Sequence, residues 1–259
     1  MANVHLSVDD GVATLTFDNP GRKNAITPEM AAAAVAHCDA IERDESVGAV
    51  VVRAEGDYFC SGADTRSLAA ASRNPASSEA VATISAVYDV FGRIAQLPVP
   101  TVSVVVGGAV GAGMNLALAA DVLLTTEDAV FDSGFLARRI HPGGGHISLL
   151  GRAVGRPTAA AMVLLGQPLT GRRMHELGWA FRCAPREELD DLAREVVAVA
   201  AQDPVLTRRV KSSLQLELGA PVGWAQALEV ERGAQMWSMA RKGEDAWNSR
   251  GPARAATTA

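Results

Sequence analysis

The sequence predicts an α/β fold in which strands and helices alternate, followed by a part that is almost wholly helical. In the first half, short apolar runs bounded by turn residues alternate with helical patterns. From about residue 147 the helical period dominates. The chain has 259 residues, of which 48% are hydrophobic and 20% are charged. This composition excludes disorder as the main state, and the length suffices for a sizeable core.

The first elements are two strands, a helix and a third strand. Residues 5–8 and 12–17 flank the turn Asp9-Asp10-Gly11, which is typical of a hairpin. Thr27 is the expected N-cap of a helix that runs to about residue 42, with proline at its first position. The continuous apolar run 47–52 predicts a strand buried on both faces.

The middle of the chain continues this alternation. A helix is predicted where apolar residues recur three and four positions apart, from Val81 to Ile94. A strand at 102–106, a buried helix at 114–120 and a strand at 122–124 follow. The C-terminal helices are expected at 147–154, 158–165, 171–177, 187–202, 204–217 and 222–242.

An uncharged stretch at 94–120 is long enough to cross a membrane. Pro98 and Pro100 interrupt its start, and several glycines from Gly107 to Gly113 interrupt its middle. A buried strand followed by a buried helix is therefore predicted, without a membrane span.

Charge and cysteine content point to a cytoplasmic protein that does not bind nucleic acid. The chain has 24 basic and 29 acidic residues, a net charge of −5, and basic pairs such as Arg138–Arg139 are isolated. A duplex-binding protein needs clustered cations. The three cysteines match no disulfide or metal framework, which favours a reducing compartment. The first residues carry Asp9 and Asp10 and lack the apolar core of a secretion signal.

Two motifs of small residues are candidate sites for a ligand oxygen. The first, 59–64, follows the strand at 47–52, and the N–H of Ala63 could donate a hydrogen bond there. An ordinary tight turn is the alternative. The second, 107–115, connects a strand to a helix, whose N-terminus offers unpaired N–H groups to an anion or a developing oxyanion.

The second motif also imitates the phosphate loop of a dehydrogenase. It lies in mid-chain, however, and not after the first strand. The Tyr and Lys four residues apart that a short-chain dehydrogenase needs are missing, because Gly62 and Gly92 stand four residues after Tyr58 and Tyr88. The dinucleotide interpretation is therefore disfavoured.

A third motif, 141–146, carries two histidines around glycines. A metal pair would need a third ligand, and none is evident nearby. Each histidine is a candidate pocket residue or a structural one, and His146 is also a candidate helix N-cap. The sequence has no Gly-x-Ser-x-Gly elbow, which disfavours a hydrolase of that type.

Taken in order, the motifs resemble the enoyl-CoA hydratase/isomerase (crotonase) superfamily. The matching segments are 19–25, 59–64, 107–121, 142–145, 152–155 and 169–171 with 177–178. The resemblance implies a spiral of ββα units at 1–195 that forms the acyl-CoA site. It also implies a helical oligomerisation region at 196–248, which builds a homotrimer or a dimer of trimers. A flexible tail is expected at 249–259.

The resemblance also assigns roles to residues. Two backbone N–H groups of the family, at Ala63 and Ala112 here, would hold the thioester oxygen. Coenzyme A, as part of the thioester substrate, would lie along Arg22, Lys23, Ala25, Ser61, Ala63, Asp64 and Thr65. No separate cofactor and no metal is implied.

The chain departs from the family where its hydratases carry two catalytic glutamates. Asn115 stands at the first of these positions and Phe135 at the second. Neither side chain accepts a proton at neutral pH, so classical hydration is not expected. Asp132 and His141 are the candidate replacements as general base. Asn115 could still orient a polar group.

Two hypotheses follow. The first is a lyase or isomerase that acts through a stabilised thioester enolate. The second is a non-catalytic acyl-CoA carrier in lipid metabolism, which the residues at positions 115 and 135 favour.

Overall fold

A computed structural model of the chain describes residues 2–218 and 224–247. The predicted tail at 249–259 lies outside the described residues. The strands are β1 (Asn3–Asp9), β2 (Val12–Asp18), β3 (Ala49–Ala54), β4 (Thr101–Val105), β5 (Gly108–Val110), β6 (Val122–Thr125), β7 (Val130–Asp132), β8 (Leu169–Thr170) and β9 (Ala180–Cys183). The α-helices are α1 (Pro28–Arg43), α2 (Thr65–Ala71), α3 (Ser78–Gln96), α4 (Ala112–Leu118), α5 (His146–Leu165), α6 (Gly171–Glu176), α7 (Leu189–Gln202), α8 (Pro204–Leu218) and α9 (Trp224–Lys242).

The larger sheet has the strand order β1-β2-β3-β4-β6-β9. The first two strands form the predicted antiparallel hairpin, and each later neighbour pairs in parallel. Parallel neighbours require crossover connections. The α/β alternation predicted from the sequence is therefore confirmed.

The first helix and the third strand form as their sequences predict. Thr27 caps α1, and its side chain accepts a hydrogen bond from the backbone N–H of Met30. Strand β3 packs on both of its faces. Val50 and Val52 contribute to the main core, whereas Ala49 and Val51 contribute to a second cluster against α7.

A smaller sheet, with the order β5-β7-β8, was not predicted. The part of the chain after residue 147 is mainly helical, as the sequence predicts, but it also contains the short strands β8 and β9, which were not predicted. Strand β9 is the edge strand of the larger sheet and pairs with β6. These strands have two to four residues, which is too short for a periodic apolar pattern to develop.

The C-terminal helices otherwise occur where the sequence predicts them. The two helices expected at 147–154 and 158–165 are joined in α5, across a non-helical Gly155 with φ of 74°. Helix α7 spans the boundary predicted at residue 195 and packs on β3, β4 and β6. No helix of the described residues is long and apolar enough to cross a membrane.

Candidate functional site

The two small-residue motifs lie side by side. Cys60 forms a parallel bridge with Ala109, so that the N–H of Cys60 donates to Gly108 O at 3.2 Å and the N–H of Val110 donates to Cys60 O at 3.0 Å. A Cβ on Gly113 would overlap the carbonyl oxygen of Cys60. The glycine therefore permits the close approach of the two backbones.

This contact brings together two backbone N–H groups. Ala112 is the first residue of α4, and its N–H has no intrahelical partner. Gly62, the residue before Ala63, lies close to this N–H: a Cβ on Gly62 would be 3.6 Å from Ala112 N. On the other loop, Ile26 bonds to Gly62 O and to the N–H of Asp64, which leaves the N–H of Ala63 outside this bridge. In the described part of the chain, neither Ala63 nor Ala112 has a hydrogen-bond acceptor for its N–H.

Both residues line a cavity of about 100 Å³. One wall of the cavity is aliphatic and consists of Leu68, Ile84, Val87, Val110 and Ile140. The aromatic residues among the described lining are Tyr88, Phe135 and Trp247. Arg138 is the only charged side chain among the described lining residues. No carboxylate of the described residues lines the cavity.

Tyr88 and Gln235 place a hydrogen-bonded polar pair on the cavity wall. The phenol of Tyr88 in α3 donates to Oε1 of Gln235 in α9. Burial raises the pKa of the Tyr88 phenol, so this group is protonated at neutral pH. No local sequence pattern indicates this pair, because 147 positions separate the two residues.

Asn115 is completely buried and does not line the cavity. Its Nδ2 donates to Gly143 O at 2.9 Å, and its Oδ1 accepts from Nδ1 of His146 at 2.7 Å. Phe135 does line the cavity, beside the N-terminus of α4: a Cβ on Gly111 would lie 3.7 Å from its Cζ. The structure thus presents a phenyl ring, and no polar side chain, from these two positions.

His146 lies behind Phe135, at 5.0 Å between the ring centroids in an edge-on arrangement. Because Asn115 Oδ1 can only accept, the proton of the neutral imidazole lies on Nδ1. His146 Nε2 then accepts from the hydroxyl of Ser133 at 2.9 Å. Burial lowers the pKa of His146 to about 3, so the ring is neutral at pH 7. The role of His146 is to join Asn115 to Ser133, and its backbone occupies the first position of α5, after the N-cap Gly145.

The two candidate bases lie apart from the described cavity lining. Oδ1 of Asp132 accepts from the N–H of Gly134 at 2.9 Å. His141 lies along a separate surface groove of about 680 Å³, together with Trp237. Its Nδ1 is 2.7 Å from Pro142 O, and its backbone N–H donates to Oγ of Ser238. His141 therefore lies in a different groove from Ala63 and Ala112. Asp132 is not among the described cavity-lining residues, although its backbone carbonyl accepts from the N–H of Gly111, next to Ala112, at 3.0 Å.

The residues expected along coenzyme A cluster at one side of the cavity. Arg22 and Arg66 contact the buried carboxylate of Asp64 at 3.2 and 3.1 Å, and Asp64 also caps α2. Ser61 donates from its backbone N–H to Lys23 O at 2.9 Å. The ammonium group of Lys23 lies 4.9 Å from the centre of the Tyr58 ring.

The remaining predicted residues of this cluster are Ala25 and Thr65. Ala25 is buried, and its carbonyl accepts from Nδ2 of Asn19. Thr65 lines the cavity together with Ser61. Within the described residues, no group of three or more histidine, cysteine or acidic side chains is arranged to hold a metal ion.

Comparison with known proteins gives consistent results. A sequence model of the enoyl-CoA hydratase/isomerase family matches residues 7–246. A probable enoyl-CoA hydratase of Mycobacterium tuberculosis is 39% identical over 207 residues, which is 80% of this chain and 77% of that protein. The 1,2-epoxyphenylacetyl-CoA isomerase of Escherichia coli is 31% identical over 76% of this chain and 75% of that protein.

A similar fold is found among crystal structures. An enoyl-CoA hydratase from Mycobacterium avium subsp. paratuberculosis superposes with a TM-score of 0.82 at 26% identity, over 95% of this chain and 98% of the other. The similarity therefore extends through both sheets and into the C-terminal helices.

Proposed function

The chain belongs to the enoyl-CoA hydratase/isomerase family, and on that premise we propose that it binds an acyl-CoA thioester and stabilises the enolate of that thioester. The crotonase-like fold implied by the sequence is confirmed. One observation carries the proposal: the N–H groups of Ala63 and Ala112 lie on one cavity, which has an aliphatic wall, and have no acceptor within the described chain. A thioester oxygen between them would accept both hydrogen bonds.

The chemistry of such a site favours the enolate over the ground state. Loss of an α-proton, or addition at the β-carbon, moves negative charge onto the thioester oxygen. Fixed donors in a dry cavity stabilise this charge without reorganising, and one donor of this kind is typically worth about 10²–10³ in rate. The positive end of α4, at Ala112, acts in the same direction.

Coenzyme A would enter as part of the substrate along the cluster of Arg22, Lys23, Ala25, Ser61, Asp64 and Thr65. The two cations supply charge for phosphates. Asp64 is engaged by Arg22 and Arg66, and this engagement supports a positioning role for its carboxylate in the loop.

Classical hydration is not supported by the groups at the cavity. A hydratase must activate water with a side chain that accepts a proton. The amide of Asn115 is committed to Gly143 and His146, and Phe135 presents only a ring. An enzyme in which Asp132 or His141 acts as base would need that residue to reach a bound substrate.

The second candidate function is a non-catalytic acyl-CoA carrier. It is favoured by the absence of any group, among the described lining residues, that accepts a proton near pH 7. Tyr88 is a protonated phenol there and Arg138 is a cation. Binding without turnover of any enoyl-CoA would favour the carrier.

The binding step is tested with Ala112→Pro. Proline at the first position of a helix preserves the helix and removes the N–H. Calorimetry should give an affinity for butyryl-CoA that is about fivefold weaker than in wild type, as expected for one lost hydrogen bond. Ser78→Pro is the matched control, because Ser78 is the first residue of α3 and lies outside the cavity lining. Equal affinity of the wild type for butyrate and butyryl-CoA would overturn the proposal.

The chemical step is tested with a spectrophotometric crotonyl-CoA assay. A general acid/base group contributes about 10²–10⁴ in rate, and we expect turnover at least about a thousandfold below that of a two-glutamate relative. Rapid hydration by the wild type would show that other residues activate water.

A further inference from the structure

The cavity beside Ala63 and Ala112 has one charged side chain among its described lining residues, Arg138, and no acidic one. We infer that the acyl group bound there carries an anionic end, of which a carboxylate is the simplest form, and that Arg138 is its binding partner. This inference rests on the proposed function and names its substrate class: CoA thioesters of dicarboxylic acids.

The guanidinium of Arg138 has no acceptor in the described part of the chain, although the backbone of this residue is well fixed. The backbone N–H of Arg138 donates to Phe135 O at 2.9 Å, and the backbone carbonyl of Arg138 accepts from the ammonium group of Lys242. Other arginines of the surface face carboxylates, for example Arg172 with Glu127. Arg138 therefore offers its full set of five donors to a ligand.

The surroundings of Arg138 are positively charged. Burial lowers the pKa of Lys242, and the nearby charges of Arg138 and Arg139 lower it further. Two acidic side chains of the C-terminal part, Glu231 and Glu244, have partners other than Arg138. Glu231 accepts from the backbone of α5, and Glu244 pairs with Arg73. An anion at Arg138 would relieve this excess of positive charge.

The residues that line the cavity suit an acyl chain that ends in a carboxylate. Leu68, Ile84 and Val87 offer an apolar wall for methylene groups, and Arg138 lies on the same cavity. A guanidinium holds a carboxylate through two parallel hydrogen bonds, which gives direction as well as charge.

The phosphates of coenzyme A are the other anions that Arg138 could meet. Arg22 and Lys23, to which the proposed function assigns the phosphates, lie outside the cavity lining, whereas Arg138 lies within it. The position of Arg138 favours the acyl end of the ligand, and free coenzyme A distinguishes the two sources in the test below.

The test compares ligands of equal carbon number by calorimetry at low salt: glutaryl-CoA with pentanoyl-CoA, and adipyl-CoA with hexanoyl-CoA. The wild type should bind the dicarboxylic member of at least one pair about tenfold more tightly, the gain expected of a hydrogen-bonded charge that is partly screened by solvent. Arg138→Gln should abolish this preference, measured as the ratio of the two affinities within each pair. Arg138→Lys should retain part of it.

Arg139→Gln is the matched control. Arg139 is the next residue in the chain but lines the separate groove of His141, so its substitution should leave the preference unchanged. Equal wild-type affinity within both pairs overturns the inference while the proposed function stands. An equal loss of affinity for free coenzyme A in Arg138→Gln also overturns it, since Arg138 would then contact phosphates. If the wild type binds no thioester, the proposed function itself fails.

Discussion

At the scale of single residues, Asn115 fixes the direction of both hydrogen bonds of the His146 imidazole. Its Nδ2 faces Gly143 O, so its Oδ1 must face the imidazole. The imidazole then donates from Nδ1 and accepts at Nε2 from Ser133. Asn115 is thus part of a buried neutral network, and such networks stabilise a structure only when all members are satisfied.

Replacing Asn115 with leucine should therefore destabilise the protein strongly. The side chains are similar in size, but the change leaves the Nδ1–H of His146 and the carbonyl of Gly143 without their partner. We expect the free energy of unfolding to fall by about 2–4 kcal/mol in urea titrations. Asn74→Leu, on an exposed side chain, is the control. A similar loss in both variants would contradict the account of the network.

The same network should make stability depend on pH. The pKa of His146 is about 3 in the folded protein and near 6.5 in the unfolded chain, so the unfolded state binds the extra proton between these values. The contribution of neutral His146 to stability is therefore fully present above pH 6.5 and is lost as the pH falls toward 3. The contribution of His146 is a slope of about 1.4 kcal/mol per pH unit.

Urea titrations between pH 4.5 and 7.5 measure this slope. His146→Gln, which removes the titrating ring, should reduce the slope by the amount that corresponds to about one bound proton. His5→Gln is the control, because the ring of His5 is exposed on β1. An unchanged slope in His146→Gln would show that other groups account for the acid sensitivity.

Several residues of the candidate site could be predicted from the sequence and others could not. Ala63 and Ala112 lie within strings of small residues that mark close backbone approach, a local signal. Arg138 looked like part of an isolated basic pair, because only the folded chain separates it from Arg139 and turns the two toward different cavities. Tyr88 and Gln235 meet through long-range packing that no local pattern encodes.

At the scale of elements, α9 is attached to the N-terminus of α5. The buried carboxylate of Glu231 accepts from the N–H groups of His146 at 3.0 Å and Ile147 at 3.1 Å. It fills the role of an N-cap, which the actual cap, Gly145, cannot supply. Burial raises the pKa of Glu231, and the backbone N–H groups lower it in part.

Glu231→Gln should weaken this attachment. The amide keeps one acceptor but loses the charge that interacts with the helix dipole, so we expect a loss of about 1 kcal/mol in the free energy of unfolding. Since α9 also supplies Gln235 to the cavity wall, affinity for acyl-CoA should fall with it. Glu229→Gln, on the exposed side of the same helix, should change neither quantity.

The strands that the sequence missed share a physical cause. Strands β5, β7, β8 and β9 have two to four residues each, and their pairing depends on segments distant in the chain. Long elements such as α1 and α3 carry enough turns to show their buried face in the sequence. Long local patterns were therefore recovered, and short non-local pairings were not.

At the scale of the whole molecule, α8 carries an apolar stripe that the described part of the chain does not cover. Leu206, Val210 and Leu214 recur every fourth residue and are 57%, 57% and 47% exposed. The opposite side of α8 is fixed to the core: Arg208 donates to carbonyls at the end of α1, and the buried ammonium group of Lys211 pairs with Asp121. The stripe therefore faces outward from a firmly held helix.

We expect this stripe to be covered by other copies of the chain in the predicted homotrimer or dimer of trimers. Single exposed apolar residues are ordinary, but a contiguous stripe marks an interaction surface, and closed symmetric assemblies are the usual form of soluble oligomers.

One chain has a mass of 27.0 kDa. Light scattering at micromolar concentration should give about 81 kDa or twice that value. The double variant Leu206→Lys with Val210→Lys should shift the mass toward that of the monomer, because it places two charges at the centre of the stripe. Val8→Lys, an exposed apolar position on the edge strand β1, should leave the assembly intact. A wild-type mass near 27 kDa would show that the chain does not assemble at this concentration. An unchanged mass in the double variant would show that the interface lies on another surface.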